Sequence, residues 1–362
     1  MSSSSGRMLN FSAAGCAGAC ATIATLLAIT LVLPAVLNPF SLLQATLLFV
    51  VAIYGLSQGF IWGFGGILCF GQASFFGLGA YAYAISAINI GESTVPLMLA
   101  IIVPMLFATL LGYFMFYGRV SDVYVGVITL TVSIILFQLV NATSGNQYRI
   151  GRVAMGGFNG IPAVPPLNVP GFKGWQFDTT GVWYLTMAAL IGCYALLRFI
   201  LAVRLGRVIV AIRENETRAE LVGYDPRFYK LTAFVIGAGV AGLAGCLYVN
   251  WAGFISPAVF ALTMSALALI SVLAGGLGTL AGPIFGAVLI QGIVNSMGDQ
   301  RLLDPSLATG LLLILFVLVV PKGLLPTAGL VLTRISEILQ RPETLDQQRS
   351  HSDTDSGRGK RP

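Results

Sequence analysis

Charge is what this sequence has least of. Only 9% of its 362 residues are Asp, Glu, Lys or Arg, against roughly a quarter in an ordinary soluble domain. Position sharpens the scarcity: all fourteen acidic residues lie outside the long apolar runs or at their edges, and the single histidine is His351. An interior nearly free of titratable groups excludes the His/Asp/Glu clusters that hydrolases and transferases gather around a reacting bond. It also argues against proton coupling, which uses carboxylates or histidines within the membrane; only Asp122, at the edge of one run, is available. No phosphate-binding loop of the form GxxxxGKS/T occurs, so the chain does not hydrolyse ATP by that route. The cysteines Cys16, Cys20, Cys69, Cys193 and Cys246 fall in apolar segments and form no CxxC pair. They read as small core residues, not as a disulfide framework or zinc site, and no metal or cofactor is expected in this chain.

What is abundant is hydrophobicity: 56% of the residues and a mean hydropathy of +0.87. About 20 apolar residues cross the hydrocarbon core as a helix, and ten runs qualify, near 15–37, 41–62, 66–88, 94–117, 121–142, 182–203, 229–250, 258–277, 280–297 and 306–321. The expected fold is therefore all-α and polytopic, with about ten crossings. The first run exceeds the h-region of a signal peptide, so a retained anchor is expected. With the N-terminus inside, fifteen of the twenty basic residues fall on the inner side, and the positive-inside rule makes both termini cytoplasmic. The net charge of +6 is then a property of the inner loops, and no nucleic-acid partner is implied. Residues 1–341 form the expected membrane domain, and the polar tail 342–362 is expected to be disordered.

Two connections carry more than their length requires. The inner one, RLGRVIVAIRENETRAELVGYDP, is helical by propensity near 211–223, with Gly223 as its stop and Asp225-Pro226 as a turn. It is either a helix that a cytoplasmic partner grips or a solvated loop helix. The outer one, 143–181, contains GGFNGIPAVPPLNVPG and is too rich in Pro and Gly for regular helix. Its segment Gly156, Gly157, Phe158, Asn159, Gly160 either shapes an outer gate and docks a partner or is a plain turn.

Within the apolar runs, Thr131, Gln138 and Asn141 share one helical face at i, i+7 and i+10. They line a pathway, or they bond to their own helix and to neighbours. Gln72, Ser74 and Asn250 carry the same pair of readings. Small residues repeat at helical spacing at Ala73, Gly77, Ala80 and Ala84, at Gly55, Gly59 and Gly63, and at Gly278, Gly282 and Gly286, which lets backbones approach closely. Gly63, Gly65, Gly66 and Gly71 crowd one short region, a candidate broken or re-entrant start to the third helix. The stretches GGILCFGQASFFGLGA and GGLGTLAGPIFGA suggest an inverted repeat.

AIRENETRAELVGYDPRFYKLTAFVIGAGVAGLAGCLYV, with ISPAVFALTMSALALISVLAGGLGTLAGPIFGAVL, resembles the permease family of branched-chain amino-acid ABC importers, which includes permeases for urea and short-chain amides. The opening glycine-rich stretch and GGFNGI agree, so the resemblance covers about 45–325. It implies that the inner loop is a coupling helix seated on an ATPase, through Arg213, Glu214, Glu216, Ala219, Glu220 and Gly223. Arg218 departs from the small residue more frequent there. The implied partners are a second homologous permease, two cytoplasmic ATPases that bind ATP and Mg, and an extracytoplasmic binding protein. The implied location is the bacterial inner membrane. With no fixed charge in the pathway, the cargo is a branched-chain amino acid or, alternatively, urea or a small amide. A sodium-coupled carrier or channel is the reading of another class.

Overall fold

A computed structural model describes residues 4–145, 147–168, 177–298 and 310. In chain order the first elements are α1 (Ser4–Val36), α2 (Pro39–Gly63), α3 (Gln72–Ile90), α4 (Thr94–Tyr117) and α5 (Asp122–Ala142). A two-residue hairpin of β1 (Arg149–Ile150) and β2 (Val153–Ala154) follows, pairing Arg149 with Ala154 and Ile150 with Val153. Then come α6 (Thr179–Ala202), α7 (Arg204–Glu214), α8 (Glu216–Leu221), α9 (Pro226–Ala252), α10 (Leu262–Gly275) and α11 (Ala281–Gly298). Among the described residues, α1 to α6 and α9 are the seven helices long and apolar enough to cross a membrane; α10 and α11 are shorter apolar helices. The expected tenth crossing, 306–321, apart from residue 310, and the tail 342–362 lie outside the described residues.

Most boundaries fall within a few residues of the apolar runs; α1 begins earlier, at Ser4, and two other departures have local causes. The third helix begins at Gln72 and not near 66, because 64–71 leaves the helix altogether. The eighth run divides into a 3-10 turn, Pro257–Phe260, and α10, since Ala261 is extended at φ −63° and ψ 154°.

Helices α2, α3 and α9 form the centre and are buried along most of their lengths, whereas α4 and α5 leave one apolar face exposed. Glycines set how closely the central helices pack. A Cβ on Gly79 would meet Gly242 of α9, and one on Gly245 would meet the backbone of Phe76 and Ala80, so α3 and α9 touch backbone to backbone. The stripe on α2 receives the α10–α11 pair: Gly55 and Gly59 face Pro283, and Gly63 faces the amide of Gly278.

Ala73, Gly77, Ala80 and Ala84 are all buried on one face of α3; Gly77 accommodates the Phe260 ring, and α9 approaches the backbone at Phe76 and Ala80 through Gly245. Two sequence expectations are corrected here. Gly278, Gly282 and Gly286 do not share a helix face. Gly278 stands in the turn at φ +84°, and Gly282 and Gly286 pack α11 on the end of α10. The two glycine-rich stretches each cross a helix–break–helix, yet their breaks meet at one end of the bundle through Gly63 and Gly278. An inverted repeat would set them at opposite ends; same-end placement is what a parallel repeat gives. Of the cysteines, Cys69, Cys193 and Cys246 are buried, but Cys20 is exposed.

Candidate functional site

The connection between α6 and α9 folds as a small module with a core of its own. Val208 and Ile212 of α7 and Ala219 of α8 are buried together, with Tyr224 and Tyr229 against them. The Tyr224 and Tyr229 rings lie edge to face with centroids 5.9 Å apart, and the Arg204 guanidinium stands 5.7 Å from the Tyr224 centroid. Its hydrogen bond to the Tyr224 hydroxyl pushes the Arg204 pKa above its ordinary value. The expected single helix over 211–223 is two helices. Asn215, at φ −160° and ψ 100°, breaks the chain, and its Oδ1 accepts the Arg218 amide at 2.8 Å, capping α8. Asparagine favours that competition over continuing a helix. Gly223 ends the module at φ +94°, and Asp225 caps α9 by accepting the Arg227 amide at 3.1 Å.

Two basic side chains fasten the module to the membrane helices. Arg213 reaches from the end of α7 to the carbonyl oxygen of Gly63, the last residue of α2, and also pairs with Glu214 at 2.6 Å. A cation at a helix C-terminus is favoured by the dipole and by the free carbonyls there. The same guanidinium lies beside Gly278, where a Cβ would stand 3.9 Å from its Nη1. The second fastening is Lys230 of α9, whose ammonium is 2.7 Å from Glu216 of α8 and 3.4 Å from Asp122 of α5. Glu220 is exposed and Ala219 buried. Leu221 and Val222, 84% and 71% exposed, project from the module at the charged end of the bundle.

Beside the Arg213 contact the chain turns at 64–65, passes through Gly66 at φ +70°, and runs without regular structure to Gly71, climbing back into the bundle. The Gln72 amide donates to Ser57 Oγ at 2.9 Å, level with a residue under two turns above Gly63, about 9 Å along α2. Non-helical backbone at that depth needs protein partners, and it has them. Gln58 donates to the Cys69 carbonyl at 2.9 Å, and the Phe70 amide donates to Thr129 Oγ1 at 3.2 Å. Gly71 is required because a Cβ there would strike the Thr129 carbonyl.

The pathway candidates separate into two groups. Gln72 and Ser74 are fully buried between helices, and Asn250 receives the Tyr83 hydroxyl at 3.1 Å while donating to the Cys246 carbonyl. Gln72 ties α3 to α2 and Asn250 ties α9 to α3, while the Ser74 hydroxyl is buried with no partner among the described residues. On α5, Val125, Thr129, Ser133 and Val140 are buried, whereas Thr131 and Gln138 occupy the exposed face. The Thr131 hydroxyl donates back to Val127 at 2.9 Å. Asn141 is half-buried, and its Oδ1 has no partner among the described residues. At the opposite end of the bundle, Gly156, Gly157 and Gly160 hold positive φ values of 68°, 52° and 71°. They fold a 3-10 turn, Gly157–Asn159, tied through Ile161 to Ile255 by two backbone hydrogen bonds of 2.8 and 3.1 Å. The turn lifts Phe158 to 77% exposure.

Asp122, Asn215, Tyr224 and Lys230 escaped the sequence reading as a connected set. Asn immediately before ETRAEL is a legible cap signal; the ion pairs join residues distant in sequence and have no local signature. Among the described residues no three His, Cys, Asp or Glu side chains are placed to hold a metal ion.

Known proteins resemble this chain along most of its length. A family described as the branched-chain amino acid transport system permease component matches residues 40–320. The high-affinity branched-chain amino acid transport system permease protein LivM of Salmonella typhimurium is 31% identical over 325 residues, 83% of this chain and 73% of its own. LivM of Escherichia coli is 31% identical over 306 residues, 78% and 69% of the two chains. The permease protein LivH of Escherichia coli is 33% identical over 147 residues, 40% of this chain and 46% of its own. No solved structure matches the chain. With the family matched over most of its length and LivM covered from both sides, this multi-pass helical chain belongs to the permease family of branched-chain amino acid transport systems.

Proposed function

We propose that the chain is the membrane-spanning subunit of an ABC importer for branched-chain amino acids in a bacterial inner membrane. It pairs with a second, homologous permease and two cytoplasmic ATPases, and receives cargo from an extracytoplasmic binding protein. Both termini are then cytoplasmic, and the α7–α8 module faces the cytoplasm. The observation that carries the reading is that module: a separately packed element, presenting Leu221 and Val222 outward and fastened to α2 and α9 by basic side chains. Exposed apolar residues on a charged, water-facing element suit a protein contact. ATP binding closes the ATPases, the module moves with them, and the helices it is fastened to change the opening of the bundle.

The likeness to both LivM and LivH supports a pair of related permeases. An exposed α5 face carrying Thr131 and Gln138 but no charge in its middle suits cargo with an apolar side chain, and the turn bearing Phe158 suits docking of the loaded binding protein. The test is uptake of leucine and of urea by membranes holding the whole assembly, with and without ATP, beside a variant lacking Glu214 to Gly223. The importer reading expects ATP-dependent leucine uptake that the deletion abolishes together with ATPase association. Urea uptake in place of leucine moves the cargo to urea and amides; transport by the isolated chain without ATPases makes it a stand-alone carrier.

A further inference from the structure

Lys230 joins three elements that otherwise meet little. It is the fifth residue of α9, a helix buried along most of its length, and its side chain is only 14% exposed. One carboxylate it touches, Glu216, begins α8; the other, Asp122, begins α5. Helix α5 packs chiefly on α3, α10 and the two 3-10 turns, and much of its surface is free. At its charged end the chain turns in from α4 through Arg119, whose φ of +54° is unusual for a residue with a side chain. The three charges border a cleft of ≈ 430 Å³ that Arg119, Glu220 and Arg227 also line.

The geometry is poorly suited to simple stabilisation. Solvent screens exposed ion pairs to little net stability, and Asp122 and Glu216 are 59% and 47% exposed. It is well suited to transmission. The contact to Glu216 is close at 2.7 Å and that to Asp122 loose at 3.4 Å, so the ammonium is committed to α8 and free to gain or lose α5. The sign of the force depends on it as well. Two carboxylates around one ammonium attract, and without the ammonium they repel. We propose that Lys230 is a positioning residue that relays displacement of α8 to α5, drawing the Asp122 end of α5 after the coupling module. The proposal rests on the importer reading above and adds the route by which the module reaches the helix carrying Thr131 and Gln138.

The experiment measures, in proteoliposomes holding the complete assembly, both ATP hydrolysis and amino acid taken up per ATP hydrolysed. Lys230→Met is expected to keep the ATPases bound and hydrolysing while the uptake-to-hydrolysis ratio falls about fivefold; Lys230→Arg restores most of it. Asp122→Asn, on a side chain exposed enough to tolerate it, cuts only the α5 arm and is expected to lower the ratio likewise. A wild-type ratio in Asp122→Asn overturns the relay while leaving the importer reading intact. Equal loss of hydrolysis, association and uptake in Lys230→Met also overturns it, because the residue then only holds α8 for docking. A wild-type assembly without ATP-dependent uptake overturns the importer reading and the relay with it.

Discussion

Arg213 donates a hydrogen bond to the carbonyl oxygen of Gly63, joining the end of α7 to the end of the central helix α2. The contact sits where two helix breaks converge: 64–71 begins there, and Gly278 of the α10–α11 turn packs on Gly63. The Arg213 side chain therefore bonds Gly63, packs its stem on Gly66 and lies beside Gly278, next to both breaks. Arg213→Ala leaves the Gly63 carbonyl without that donor and is expected to lower uptake about tenfold, within the range over which coupling residues act. Arg213→Lys recovers little, since one ammonium lacks the planar fork that serves Gly63 and Glu214 together. Uptake by the reconstituted assembly checks both; wild-type uptake in Arg213→Ala removes the contact from the mechanism.

The break at 64–71 depends on Gly71. A Cβ there would strike the Thr129 carbonyl, which belongs to a helix backbone and cannot turn aside. Overpacking of this kind costs about 1–3 kcal/mol, so Gly71→Ala is expected to lower the thermal midpoint of the purified protein in detergent. Gly192, on the exposed side of α6, has nothing within 4 Å of its would-be Cβ. Gly192→Ala is expected to raise the midpoint slightly, by removing the roughly 1 kcal/mol helix penalty of glycine. Equal midpoints for the two variants contradict the assignment of Gly71 to a close contact.

Gly59 and Pro283 test the junction of α2 with α11 as a pair. A Cβ on Gly59 would enter the Pro283 ring, so Gly59→Ala destabilises by about 1–3 kcal/mol. Shrinking the opposing side chain makes room, and Gly59→Ala with Pro283→Ala is expected to be more stable than Gly59→Ala alone. Strict additivity in the double-mutant cycle means that the two residues do not share this contact.

How much was legible in advance follows from the range of each interaction. Helix positions could be read because bilayer thickness writes itself into run length. Gly63, Gly65, Gly66 and Gly71 could be read as a break because four glycines in nine residues have no place in one helix interior. Partners could not be read from spacing. Gly278, Gly282 and Gly286 have the four-residue period of a helix stripe, but a positive φ at Gly278 ends the helix register before Ala281. Gln72 and Asn250 look like pathway groups in a string of letters; only the positions of Ser57 and Tyr83 make them struts. The Lys230 pairs span 14 and 108 residues of sequence, and no local pattern announces them.

Gln138 tests whether the exposed face of α5 meets water or lipid. The native Cys69, Cys193 and Cys246 are buried, so replacing Cys16 and Cys20 with serine leaves a background quiet to thiol reagents. On it, Gln138→Cys is expected to react with a membrane-impermeant maleimide applied from outside the reconstituted assembly, and the modification blocks uptake. Protection of that cysteine in the assembly, together with unaltered uptake by Gln138→Leu, turns this face toward lipid or the second permease.

Phe158 is the last residue whose exposure asks for a reason. Three glycines in left-handed conformations and two hydrogen bonds between Ile161 and Ile255 hold the turn that presents it, so the ring is displayed by a fixed frame. A large aromatic side chain on such a frame suits the anchor of an interface. Through Ile255 the frame also connects to the turn Pro257–Phe260, whose Phe260 carbonyl accepts the Ser133 hydroxyl of α5 at 2.8 Å. The Phe158 turn also packs directly on α5, the helix that Lys230 touches at its other end. Phe158→Ala is expected to raise the concentration of loaded binding protein needed for half-maximal uptake about tenfold, in keeping with a loss above 1 kcal/mol at an anchor. Basal ATP hydrolysis without binding protein is expected to stay the same. Titrating binding protein against uptake separates the two effects: an unchanged half-maximal concentration with a lower maximal rate assigns Phe158 to the gate, and no change in either removes it from the site.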